Sequence, residues 1–208
     1  GFSIASKLSS RIGGLEQALR NVGDAKSVLD IAESSMNNVM DILIEMKAKA
    51  VQGANGILGT DERGYIQAQI DDLAAEIDNI ASQTTFQGTS LLSGTSMVFQ
   101  VGEASGATLS VSISEVSGNA LGVDGLAGSA TTDFRDFIDV VDSAITTLSG
   151  VFNEMGIVQN SLSIREETLS QQITSNSSAR GSIMDTDFAQ AQSESIRLQI
   201  LQQTATAA

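Results

Sequence analysis

The feature that most constrains this chain is the return of aliphatic side chains at alternating four- and three-residue steps, with no proline to interrupt them. The first run is Leu8, Ile12, Leu15, Leu19 and Val22, the spacing that lines one helix face against a coiled-coil neighbour. Farther on the stripe doubles. One row holds Ala25, Val28, Ala32, Val39, Ile42 and Met46, and the adjacent row Leu29, Met36, Met40, Leu43 and Ala50. Two adjacent apolar rows need two neighbours to cover them, so the helix is expected inside a bundle from about Ala25 to the Gly53-Ala54-Asn55-Gly56 stop. At the rise of an α-helix such an element approaches about 75 Å. Gly13, Gly14 and Gly23 each weaken it by about 1 kcal/mol relative to alanine, and the Gly13-Gly14 pair is where a break would fall.

A second helix is expected after Gly59, with Thr60 as its cap and Asp61 and Glu62 complementing its positive end. Its seam is Ile66, Ile70, Leu73, Ile77 and Ile80, and the short link makes it antiparallel to the first. After Ala81 the period changes. Met97, Phe99 and Val101 alternate with Val98 and Gln100, Gly102 to Gly106 turns the chain, and Leu109, Val111 and Ile113 alternate with Ser110 and Ser112. That pattern predicts a β-hairpin with one apolar face. Residues 117–132 carry little pattern and read as a loop. A third long helix is expected from Asp133, with the seam Phe137, Val141, Ala144, Leu148, Val151, Met155, Val158 and Leu162, followed by a polar stretch at 175–182 and a last amphipathic segment.

The fold class is therefore mainly α: an elongated antiparallel coiled-coil bundle of three long helices with a small β-hairpin appendage. Its divisions are 1–94 (two helices and turn), 95–132 (hairpin and loop), 133–182 (third helix) and 183–208 (a further helical segment). The core ridges are assigned to Leu29, Met36, Leu43, Ile66, Ile70, Leu73, Ile77, Phe137, Val141, Leu148, Val158 and Leu162.

Composition narrows function from the other side. The net charge is -14, which disfavours phosphate backbones and acidic membrane surfaces, so neither nucleic acid nor membrane is expected as a partner. Without Cys there is no disulfide, thiol nucleophile or thiolate metal site, and without His the usual base near neutral pH is missing. No run reaches the roughly 18 apolar residues that a membrane span needs. Asp133, Asp136, Asp139 and Asp142 recur every third residue, but that spacing drifts around a helix, and a solvated face explains it better than a cation site. Asp185 and Asp187 point to different helix faces. The Gly53–Gly59 segment follows a helix and lacks the spacing and lysine of a phosphate loop, so it reads as a helix-helix turn. Asn176-Ser177-Ser178 is a short sequon of the kind that arises by chance. No nucleophile, base and oxyanion donor come together, so neither catalysis nor a cofactor or metal is expected.

The order of motifs resembles that of bacterial flagellins along almost the whole chain. The resemblance is carried by Gly1-Phe2-Ser3-Ile4-Ala5, by Arg20-Asn21 with Asp24 and by Ala32-Glu33. It continues through Ala50-Val51-Gln52-Gly53-Ala54-Asn55-Gly56, Ile77 to Gly88 with Leu91-Leu92, and Phe99-Gln100-Val101-Gly102. It closes with Gln159-Asn160 and Ile183-Met184-Asp185-Thr186-Asp187-Phe188-Ala189. It implies the flagellin core-domain fold, a secreted subunit that forms a homopolymer in the extracellular filament for motility, and an export chaperone and a filament cap as partners. It also implies that roughly the first fifty residues and a carboxy-terminal tail of such a family member are absent, which leads us to expect a soluble, largely monomeric fragment.

The resemblance further implies contact with an innate-immune receptor of the toll-like class through the first core helix. Counting back from Gln52, this chain has Lys49 where sensed members carry leucine, Glu45 where they carry arginine, and Gln69 where they carry glutamate. Such a charge reversal predicts weak activation. Ser161 after Gln159-Asn160, and Gly181-Ser182 beside Arg180, also depart from the family pattern. Competing readings are a flagellar hook-filament junction protein, and an acidic coiled-coil adhesin or binding module.

Overall fold

The computed structural model describes all residues, 1–208. It contains α1 (Phe2–Gly53), α2 (Thr60–Gln83), β1 (Thr85–Phe86), β2 (Thr89–Ser90), β3 (Ser96–Gln100), β4 (Thr108–Ser112), α3 (Gly118–Leu121) and α4 (Thr131–Ala207). The strands form two separate two-stranded sheets, β1-β2 and β3-β4. The protein is thus mainly helical, with small antiparallel sheets. Two compact units are present: one of residues 24–99 and 109–162, the other of residues 1–23, 100–108 and 163–208.

In the larger unit the expected double row of α1 resolves into one seam with a buried shoulder. Ala25, Leu29, Ala32, Met36, Val39, Leu43, Met46 and Ala50 are all fully buried at four-three steps, with Val28 beside them. Met40 and Ile42 flank this seam and are only half-buried. On α4 the matching positions Phe134, Phe137, Val141, Ala144, Leu148, Val151, Met155 and Leu162 are buried, and Val158 is half-buried. On α2 the buried face is Ile66, Ile70, Ala74, Ile77 and Ala81. Leu73 and Ile80 are half-buried there, because the four-residue steps from Ile66 to Ala74 rotate the contact line toward the small alanines.

Cross-contacts fix the directions. Gly53 lies against Phe134, Lys47 against Asp142, and Glu33 against Gln159, so α1 and α4 run antiparallel. The Thr84 hydroxyl just past α2 meets Ser35 of α1 at 2.7 Å, which makes α1 and α2 antiparallel too. The α2 cap differs from the sequence expectation. Gly59, with extended backbone and no side-chain cap bond, occupies the cap position. Thr60 is already inside the helix, where its hydroxyl cannot serve the first free N–H groups.

Two local features carried no signal in the sequence. β1 and β2 make a miniature hairpin, Thr85 opposite Ser90 and Phe86 opposite Thr89. Its turn residues Gln87 and Gly88 both have positive φ, as the tight primed turn requires. The stretch 117–132, expected as loop, contains α3, where the Ser117 hydroxyl accepts the Ala120 N–H and Gly122 closes the turn with φ of 74°. One turn of helix is too short to leave a periodic trace. Leu121 and Val123 are buried under it, and the Gly118 N–H donates to Asp78 at 2.8 Å. The β3-β4 hairpin has one apolar face, with Val111 buried and Val98 turned to solvent.

In the smaller unit, Ala5, Ile12, Leu15, Ala18 and Val22 are buried, while Leu8 and Leu19 are half-buried. The contact line steps from Leu15 to Ala18 and not to Leu19, a three-residue insertion of the kind that locally overwinds a coiled coil. Gly13 and Gly14 do not break α1. A Cβ on Gly14 would sit 3.2 Å from the Glu103 Cβ, so the missing side chain makes room for the turn at 100–108. Arg11 pairs with Glu103, and Asn21 donates to the Gln100 carbonyl at 3.0 Å, fastening that turn to the helix. The polar stretch 175–182 does not interrupt α4 either, and 183–208 is not a separate helix. Leu169 is buried, and Ile173, Asn176, Arg180 and Ile183 continue the four-three register half-buried, with Arg180 donating to Ser9. A helical register can carry polar side chains without ending.

Two glycines of α1 predict opposite outcomes. A Cβ on Gly53 would meet the Phe134 ring at 2.7 Å, so Gly53→Ala is expected to destabilise by about 1–3 kcal/mol in urea unfolding. Gly13 has nothing within 4 Å, so Gly13→Ala is expected to stabilise by up to about 1 kcal/mol. Equal effects would contradict the packing described.

Candidate functional site

No enclosed cleft gathers reactive groups. The acidic face at the start of α4 is divided among structural tasks. Asp133 accepts the Ala130 N–H at 3.1 Å, and Asp142 pairs with Lys47 at 2.7 Å. Asp136, Asp139, Asp185 and Asp187 are exposed, and no three acidic side chains converge in a metal-holding arrangement. The one carboxyl with a resolved shift is Asp71 on α2, held above the usual carboxylate range by partial burial and by neighbouring Asp72. A raised folded-state value means the native chain holds its proton longer than the unfolded chain. This group therefore favours folding at acidic pH, and that contribution is lost as pH rises through its folded value.

The Gly53–Gly59 segment is the α1-α2 link, as its position between the helices requires. Arg63, in the first turns of α2, brackets it. Its Nε donates to the Ser129 carbonyl at 3.0 Å and its Nη1 to the Leu58 carbonyl, joining the link to the segment that leads into α4. Composition gave no signal for this bracket, because its two acceptors are backbone atoms. Asn176 is half-buried in α4, and its amide donates to the Gln172 carbonyl at 2.7 Å.

Of the residues assigned to a receptor-facing surface, Glu45, Lys49 and Gln69 line one shallow depression of about 310 Å³ between α1 and α2, together with Asp72 and Leu73. Gln52 is exposed but lies outside it. Asp72 and Leu73 follow Gln69 by three and four residues, the helical spacing that could have added them to the set. Three acidic or neutral polar groups surround the single cation there, so the depression is not a basic anion trap.

Two apolar surfaces remain open. Ile44 and Val51 on α1, Ile57 in the link and Tyr65 on α2 are all more than half exposed. So are Met184, Phe188, Ile196, Leu198, Ile200 and Leu201 on the last turns of α4. Isolated exposed aliphatics are ordinary, and those on α4 fall where every side chain from Met184 to Ala207 is exposed.

Long helices with buried aliphatic ridges, a fastened hairpin and open apolar faces define a structural packing protein. The family profiles say which. The profile described as bacterial flagellin N-terminal helical region matches residues 1–97, and that described as bacterial flagellin C-terminal helical region matches residues 138–208. The flagellin of Bacillus subtilis (strain 168) is 30% identical over 245 residues, covering all of this chain and 80% of that protein. The flagellar filament 33 kDa core protein of Treponema phagedenis is 29% identical, covering all of this chain and 79% of that one. Among solved structures, Bacillus cereus flagellin aligns with 72% of this chain and 88% of its own, at a TM-score of 0.64 and 25% identity. A putative flagellar hook-associated protein of Vibrio parahaemolyticus aligns with 86% of this chain and 95% of its own at a TM-score of 0.72. Its 17% identity speaks for the fold alone. The chain belongs to the bacterial flagellin family. It is a structural subunit that polymerises with other flagellin subunits into the flagellar filament.

The Arg63 bracket predicts that Arg63→Met, which keeps the apolar stem and strips both donors, costs about 1–3 kcal/mol in thermal or urea unfolding. Arg63→Lys should recover only part, because lysine lacks the forked donors. A silent Arg63→Met would show that the two carbonyl contacts contribute nothing.

Proposed function

We propose that this chain acts as an exported, extracellular filament subunit whose whole task is packing, with no catalytic activity. The observation that carries this reading is the exposed apolar set Phe188, Ile196, Leu198, Ile200 and Leu201 on the last turns of α4, which residues 1–208 leave open. The buried seams hold the subunit in shape, and the open apolar faces are where its neighbours sit. The core ridges at Leu29, Met36, Leu43, Ile70, Val141 and Leu148 belong to the first task, and Phe188 and Leu201 to the second. Absence of Pro suits a chain that must fold soon after passing through a secretion apparatus unfolded, since no slow prolyl isomerisation delays it. An export chaperone and a filament cap are the partners that such a route needs.

The hook-filament junction reading shares the fold, but the sequence relatives named above are filament proteins. Cells lacking this protein are expected to show no filament, or a truncated one, by electron microscopy. Complete filaments shed into the medium would favour the junction reading and contradict ours.

For the toll-like receptor we propose weak recognition. Glu45 and Lys49 replace the arginine and leucine of sensed flagellins, and Asp72 adds a second acid to the same depression. An acid that meets a surface complementary to arginine adds repulsion where sensed members have attraction. In a cell reporter assay the protein should activate poorly, and Glu45→Arg combined with Lys49→Leu should raise the response. Full activation by the unaltered protein would overturn this.

A further inference from the structure

The link between α1 and α2 holds the only Asn-Gly pair in the chain, Asn55-Gly56, and both residues are exposed. We propose that Asn55-Gly56 is a self-modifying site at which Asn55 loses ammonia to form a cyclic imide and then becomes aspartate or isoaspartate.

Three observations place the reacting atoms together. Gly56 carries no side chain, and a Cβ there would meet nothing within 4 Å, so neither its own bulk nor a neighbour shields its amide nitrogen. The Ile57 N–H donates to Asn55 Oδ1 at 3.3 Å. That bond closes a small ring containing both the Asn55 side-chain carbonyl carbon and the Gly56 nitrogen, which holds the two close and polarises the carbonyl. The Gly56 N–H itself has no acceptor in the chain, so solvent base can remove its proton, unlike the amides inside a helix.

The chemistry needs only water. The deprotonated Gly56 nitrogen attacks Asn55 Cγ and forms the N–Cγ bond. The Cγ–Nδ2 bond breaks, and ammonia leaves with a proton from solvent. Water then opens the five-membered imide. Addition at Cγ regenerates the normal main chain with aspartate at 55. Addition at the α-carbonyl routes the main chain through Cβ and Cγ, giving isoaspartate and one extra main-chain carbon.

Asn160 and Asn176 provide internal controls. Both sit within α4, and the Asn176 amide is already committed to the Gln172 carbonyl. Helical backbone keeps the next nitrogen away from the side-chain carbonyl and ties its N–H to the preceding turn. The product at 55 would also matter locally. It places a new carboxylate just past the negative end of α1, whose last turn has no basic residue to offset it.

The test is incubation of the full chain at mildly alkaline pH, with peptide mapping by mass spectrometry and chromatographic separation of the isoaspartyl form. The Asn55 peptide should convert first, to a mixture of aspartyl and isoaspartyl products, while the Asn160 and Asn176 peptides stay intact. Gly56→Ala should fold normally, since the space is open, and should lose most of the conversion; Asn55→Gln should abolish it. Conversion of Asn160 or Asn176 ahead of Asn55, or unchanged conversion in Gly56→Ala, would overturn the proposal.

Discussion

The structure depends on one constraint: the aliphatic seam of α1 cannot be satisfied by a single neighbour. From Ala25 to Ala50 every seam position is sealed from water, and Val28 widens the stripe. A strict two-helix seam would leave such a shoulder wet. Within the larger unit α2 and α4 both run antiparallel to α1, and each supplies its own buried line, Ile66 to Ala81 and Phe134 to Leu162. Each fully buried Leu, Ile, Val or Met adds on the order of 1.5–3 kcal/mol of apolar transfer, against which polar contacts such as the exposed Lys47–Asp142 pair are minor. Chain direction and register follow from interlocking ridges, and the hydrogen bonds and ion pairs trim the result.

Glycines mark where backbone or bulk must approach closely. At Gly53 the last turn of α1 admits the Phe134 ring, and at Gly14 the helix accepts the turn carrying Glu103. Gly14 does not end the helix, although it lowers intrinsic helicity, and Gly53 is the last residue of α1. Packing overrides propensity at Gly14. The same balance explains α4, which passes through Asn176 and Arg180 without a break because the seam register persists around them.

What was legible in the sequence was whatever carries a period. The seams at Leu29, Met36, Leu43, Ile70, Ile77, Val141 and Leu148, and the alternation from Met97 to Ile113, announce helices and a hairpin because burial repeats at a fixed step. What was not legible lacks a period. α3 is a single turn held by the Ser117 cap and the Asp78 contact, and β1-β2 is two residues a side around Gln87 and Gly88. Choosing Ala18 over Leu19 needs the partner's geometry, since hydrophobicity alone favours leucine. The depression at Glu45, Lys49 and Gln69 was assembled from a resemblance; its companion Asp72 came only from seeing which helix faces meet.

Native-state amide hydrogen exchange tests most directly whether the ridges carry the fold. Amides from Leu29 to Met46 should exchange only through global unfolding, and those from Asp185 to Thr206, whose side chains are all exposed, far faster through local fraying. Uniform protection along α4, or fast exchange at Met36 and Leu43, would contradict it.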